Sequence, residues 1–80
     1  MRTYLLSHHH EAGDCGTAWA AWRGFDSPLR HTLALSTCRE GGHRLWCVVR
    51  AEDEEGALSQ LPPWLASRSK VTRITQTQIP

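Results

Sequence analysis

Thr3 to His10 alternates, with Tyr4, Leu6, His8 and His10 on one side and Thr3, Leu5, Ser7 and His9 on the other. A period of two predicts a strand. Beyond it Cys15, Ala18, Trp19 and Trp22 recur at i, i+3, i+4 and i+7, the spacing of one buried helical face. Asp14 precedes that face as a capping candidate, and Gly24 follows it as a terminator. Asp26-Ser27-Pro28 marks a reversal, because proline fixes φ while Asp and Ser bond back to the backbone. Two segments rich in Leu, Thr, Val and Trp follow, Thr32 to Arg39 and His43 to Arg50. Their connection, Glu40-Gly41-Gly42, predicts a hairpin.

Asp53 stands where an N-cap belongs, with Glu54 and Glu55 in the first turn, where carboxylates meet the positive end of a helix. Leu58, Leu61 and Leu65 supply the apolar side of this second helix. Pro62-Pro63 removes two backbone donors and breaks it after Leu61, while Pro63 suits the first turn of a further short helix. Lys70 to Ile79, with Val71, Ile74 and many threonines, reads as a last strand at a sheet edge.

Strand, helix, hairpin, helix, strand is the split β-α-β order. It predicts one ferredoxin-like α+β domain over residues 1–80, of β-α-β-β-α-β order, with an antiparallel sheet of order 4-1-3-2. A chain of 80 residues has no room for a second core. On the third strand Leu45, Cys47 and Val49 face one way and Trp46 and Val48 the other, so both sheet faces are partly apolar. Helices cover only one face of such a sheet. A homodimer built sheet to sheet, a dimeric α+β barrel, is the expected cover for the second.

The same topology locates the candidate chemistry. The end of the first strand, the start of the first helix and the turn between the second and third strands share one rim. That rim gathers His8, His9, His10, Cys15, Cys38 and His43, and leaves His31 on the opposite one. Imidazole nitrogens with a thiolate suit zinc, copper or nickel, which prefer nitrogen and sulfur donors to plain carboxylates. The candidate ligands are His8, His10 and His43, with Cys15 or Cys38 as a further one. The spacing is not a diagnostic motif. The competing reading has solvated histidines at a strand end, Cys15 packed as a small hydrophobe, and Cys47 in the core beside Leu45 and Val49.

Four tryptophans, Trp19, Trp22, Trp46 and Trp64, are many for this length, and the helical spacing assigns Trp19 and Trp22 to the core. No G-x-S-x-G, Gly-rich phosphate loop or His-Glu-x-x-His is present, so binding rather than turnover is expected. A second reading is a cofactor-free enzyme with a tryptophan-lined small-molecule pocket and His8 or His10 as proton carrier. A third is an interaction subunit without a ligand.

Charge narrows the partners. The formal net charge is +1, and the Lys and Arg residues form neither a run nor a helix face, so nucleic acid is not an expected partner. The apolar stretch before Ser7 is too short for a signal peptide, and no membrane segment is expected. Three cysteines are an odd number, which points to reduced thiols in a cytoplasmic protein. A Cys38–Cys47 pair across the hairpin is the alternative in an oxidising compartment.

Leu5-Leu6-Ser7-His8, Leu45-Trp46-Cys47, the helix capped at Asp53 and a final strand running to Ile79-Pro80 complete the frame. In length and order the chain resembles the small stand-alone ferredoxin-like proteins of unknown function that include nickel-binding members. The resemblance covers the frame of the whole chain, although Trp22 to Cys38 has no counterpart. Taken whole it implies metal binding by strand-end histidines; taken as a frame alone it implies a dimeric α+β barrel, used by small monooxygenases and binding proteins alike.

Overall fold

Alternation of apolar and polar side chains produces the two long strands, β1 (Arg2–His9) and β3 (Arg44–Ala51), in a computed structural model that describes residues 1–80. They pair antiparallel along their whole length, from Arg2↔Ala51 to His9↔Arg44. On the other side of β1, β4 (Ser69–Ile74) pairs antiparallel from Thr3↔Ile74 to His8↔Ser69. β2 (Leu35–Ser36) joins the outer edge of β3 through Leu35↔Trp46 and Ser36↔Leu45. The order β2-β3-β1-β4 is the expected 4-1-3-2 sheet read from its other edge.

One face of the sheet builds the core. Tyr4 and Leu6 of β1 meet Leu45, Cys47, Val49 and Ala51 of β3 beneath Ala57, Leu61 and Leu65. The last three come from α2 (Glu54–Leu58), the turn after it and α3 (Pro63–Ala66). Asp53 caps α2 as expected, its carboxylate accepting the Gly56 N–H at 2.7 Å. Pro63 opens α3, where a missing N–H costs no helical hydrogen bond. On the opposite face Leu5 and Trp46 are half-buried and Val48 is exposed. No helix is long and apolar enough to cross a membrane.

Four local expectations are corrected. α1 (Cys15–Ala21) follows a 3-10 turn, Ala12–Asp14, and Asp14 makes no capping hydrogen bond. Only Ala18 of this helix is buried. Trp19 is 48% exposed rather than in the core, because the seven-residue helix leans on α3 instead of lying across the sheet. Trp22 does pack against the core.

The strand expected over Thr32 to Arg39 shrinks to Leu35–Ser36, and its first residue, Thr32, is tied instead to the turn before it. Ser27 Oγ donates to the Gln60 carbonyl at 2.7 Å and accepts the Leu29 N–H at 3.1 Å. Thr32 donates both its N–H and its hydroxyl to the Leu29 carbonyl. Such short-range bonds compete with a sheet ladder. The last strand ends at Ile74, and the six residues after it are exposed and outside the ladder.

Truncating Leu65, which is 0% exposed, tests this core. Leu65→Ala lowers the unfolding free energy by about 2–5 kcal/mol and Asp53→Ala by about 1 kcal/mol. Leu33→Ala, at a fully exposed site, changes it by less than about 0.5 kcal/mol. Urea denaturation ranks the three, and a Leu65→Ala effect no larger than that of Leu33→Ala contradicts the packing described.

Candidate metal centre

Three elements converge at one end of the sheet. The strand direction of β1 continues one residue past His9, because the His10 N–H donates to the His43 carbonyl at 3.1 Å. His8 and His10 therefore project on the same, core-facing side, where they are 2% and 4% exposed. Cys15 opens α1 beside them. Cys38 and His43 stand at the two ends of the loop between β2 and β3.

That loop is built around Thr37. Its carbonyl accepts the Glu40 and Gly42 N–H groups at 3.0 and 2.9 Å, and its Oγ1 accepts the Arg44 N–H at 3.2 Å. Gly41 takes φ 84°, a left-handed conformation that glycine adopts without penalty. At Gly42 a Cβ would strike the Thr37 side chain. The loop then leaves through His43 at φ 52°, uncommon for a residue with a side chain. The result is a tight Cys-x4-His turn in place of the simple hairpin expected from Gly41-Gly42.

His10 Nε2 lies 3.4 Å from Cys15 Sγ and 3.9 Å from Cys38 Sγ, and Cys15 Sγ lies 3.2 Å from His43 Nδ1. One donor atom from each of His10, Cys15, Cys38 and His43 can be chosen so that all four lie within 4.8 Å of one another. His10 is buried and the other three are half-buried. Two nitrogens and two sulfurs converge, with no carboxylate among them. All three cysteines are free thiols. Cys47 lies in the core on β3 while Cys38 belongs to this cluster, so the two are not paired.

His8 stands one step behind the four. Its Nδ1 is 3.3 Å from the Leu65 carbonyl, which has no hydrogen to give, so Nδ1 carries the proton and donates. The Ser69 hydroxyl donates to that same carbonyl at 2.6 Å and leaves its oxygen as a second acceptor for His8. A neutral His8 then has its lone pair on Nε2, which accepts from His10 Nδ1 at 3.0 Å. A neutral His10 in turn keeps its lone pair on Nε2, facing the two sulfurs. Both rings favour the neutral form, since burial holds each pKa below the usual 6.5. The neighbouring charges of His10 and Arg68 add to this at His8, and that of His43 at His10.

Trp64 packs beside the two buried imidazoles, with its ring centroid 5.9 Å from that of His8 and 6.4 Å from that of His10. The Arg68 guanidinium stacks on the outer face of Trp64 at 4.1 Å. Burial, reinforced by Cys38, raises the Cys15 thiol pKa above its ordinary value, so without a cation this sulfur stays protonated.

Of the five residues expected as ligands, the fold gathers His10, Cys15, Cys38 and His43 and sets His8 behind them. His9 points to solvent, and His31 lies outside the group. That Leu65, Ser69 and Trp64 border this site was not legible in the sequence. Their parts depend on where α3 and β4 dock, and no local pattern encodes that. No family model, curated protein or solved structure matches the chain.

The buried imidazoles give the metal-free protein a pH signature. Above the ordinary histidine pKa of 6.5 both folded and unfolded chains are neutral at these sites. Below it the unfolded chain takes up protons that folded His8 and His10 resist, so stability falls with falling pH, by at most about 1.4 kcal/mol per pH unit for each ring. Urea midpoints measured on metal-free protein from about pH 8 to about pH 5 should decline below 6.5, and His8→Phe should flatten the decline. A flat wild-type profile contradicts the buried neutral pair.

Proposed function

We propose that this protein is a metal-binding module that holds one zinc-class ion on His10 Nε2, Cys15 Sγ, Cys38 Sγ and His43 Nδ1. The observation that carries the reading is the convergence of those donors within 4.8 Å, with the His10 lone pair already turned toward the sulfurs. Zinc bound by two thiolates and two imidazoles has bonds of about 2.3 and 2.0 Å, which gives tetrahedral edges of roughly 3.3–3.8 Å between donors. The distances of 3.2, 3.4 and 3.9 Å around Cys15 and His10 lie close to that range, and the remaining donors, all within 4.8 Å, need only draw together. A tetrahedral mixed sulfur and nitrogen set favours zinc over nickel(II) or copper(II), which prefer square-planar arrangements.

Four protein donors close the coordination sphere and leave no open position for substrate. Closed sites of this kind hold or report a metal rather than turn over a reaction. His8 acts as the positioning residue that fixes the tautomer of His10, the role outer-shell hydrogen bonds play at zinc centres.

Elemental analysis of tag-free protein, loaded with zinc, nickel and copper in turn and then dialysed, tests the proposal. Zinc should remain at about one ion per chain. The double variant Cys38→Ser, His43→Ala should lose it while keeping the far-ultraviolet circular dichroism of the wild type. Cobalt(II) in place of zinc should show the visible bands of tetrahedral thiolate coordination. His8→Phe should still load but bind zinc about 10–100-fold more weakly. Zinc retention unchanged in the double variant overturns the assignment.

A further inference from the structure

A second concave site lies beside the metal cluster. A cavity of about 440 Å³ opens where the short β2 leaves the outer edge of β3 uncovered. That volume is within the roughly 300–1,000 Å³ typical of small-molecule pockets. Trp19 of α1, Trp22 just beyond its end, Leu29 and Val48 of β3 are among its apolar lining. Eight of its eleven lining residues are hydrophobic. The polar side is supplied by Arg30, His31 and Thr32, and no carboxylate lines it.

Two features mark the polar side as more than surface. Arg30 is half-buried at the boundary between this cavity and a neighbouring one, and its backbone N–H is tied to the Ser27 carbonyl at 3.2 Å, which fixes its backbone there. His31, next to it, has φ 66°, a left-handed conformation rare for a residue with a side chain. Strain of this kind gathers at ligand clamps, where the surrounding structure holds it in place. An apolar body with a cation at one end calls for a ligand with an apolar body and an anion at one end.

We propose that this cavity binds a small amphipathic monoanion of the arylalkyl carboxylate class. The apolar part lies between the two indoles and Val48, and the carboxylate pairs with Arg30. The guanidinium fork matches a carboxylate in two hydrogen bonds, which sets orientation as well as affinity. Eight lining residues, Trp19, Trp22 and 29–34, fall between Cys15 and Cys38, the two cysteines of the metal cluster. In the part of the proposal that rests on the metal reading, the ion clamps both ends of the segment that carries most of the cavity wall. Metal binding then stiffens the pocket and raises its affinity.

Tryptophan fluorescence and two-dimensional NMR, titrated with 4-phenylbutyrate and with 4-phenylbutanol, decide the matter. The alcohol keeps the apolar body and lacks the charge. On metal-free protein the carboxylate should bind about tenfold more tightly than the alcohol, and Arg30→Gln should remove that preference without weakening the alcohol. Equal affinity for the two probes, or an unchanged preference in Arg30→Gln, overturns the anion site. Repeating the titration with zinc should tighten 4-phenylbutyrate binding. Zinc that loads without changing that affinity overturns the clamp alone. If zinc does not load, the metal reading and the clamp fall together, while the metal-free titration still judges the anion site.

Discussion

Two imidazoles buried side by side at the end of a strand are the constraint on which this structure depends. Their four ring nitrogens cannot reach bulk water, and a buried polar group without a partner costs about 1–3 kcal/mol. No buried side-chain nitrogen or oxygen in the chain lacks one. The solution is directional: the Leu65 carbonyl fixes the proton on His8 Nδ1, His8 fixes the proton on His10 Nδ1, and His10 is left with a lone pair aimed at two cysteines. The position of α3, set by the break at Pro62-Pro63, thus decides the chemistry at the far end of the relay.

The size of the protein makes that end consequential. Only 13 of 80 residues are buried, so the apolar core is small, and domains of this length often draw stability from a metal or a partner. An ion at His10, Cys15, Cys38 and His43 would cross-link the end of β1, the start of α1 and the β2–β3 loop without requiring further apolar burial. The balance at Cys15 is consistent with such a role. Burial and the adjacent Cys38 keep its thiol protonated in the metal-free protein, and a bound cation would reverse that preference by stabilising the thiolate.

Much of this was legible from the residues, for identifiable reasons. β1 and β3 alternate over eight residues each, so their existence and faces followed from periodicity. Asp53 and Pro63 are local signals with local mechanisms, and both act where they stand. Sheet order then brought His10, Cys15, Cys38 and His43 to one rim. What failed was whatever depends on competition or on distant docking. β2 is cut short where Thr32 bonds back to Leu29, and Trp19 followed a helix too short to lie across the sheet. His8 satisfied every sequence criterion for a ligand; only the Leu65 carbonyl, 57 residues away, separates its role from that of His10.

The shortness of β2 links these threads. A two-residue strand leaves most of the outer edge of β3 without a ladder partner, which in an open sheet invites pairing with another chain. Here the loop through 29–34 lines a cavity beside that edge rather than adding a ladder to it. Such a loop has few backbone bonds to hold it against β3, so its placement depends on its anchors. At one side Ser27 binds the Gln60 carbonyl, and at the other Cys38 sits two residues beyond β2 in the Thr37 turn. Tying Cys38 to His10 through an ion would fix the register of β2 from outside the sheet. The strained backbone at His43 fits this view, because a left-handed residue at the loop exit is what turns the second imidazole back toward the sulfurs.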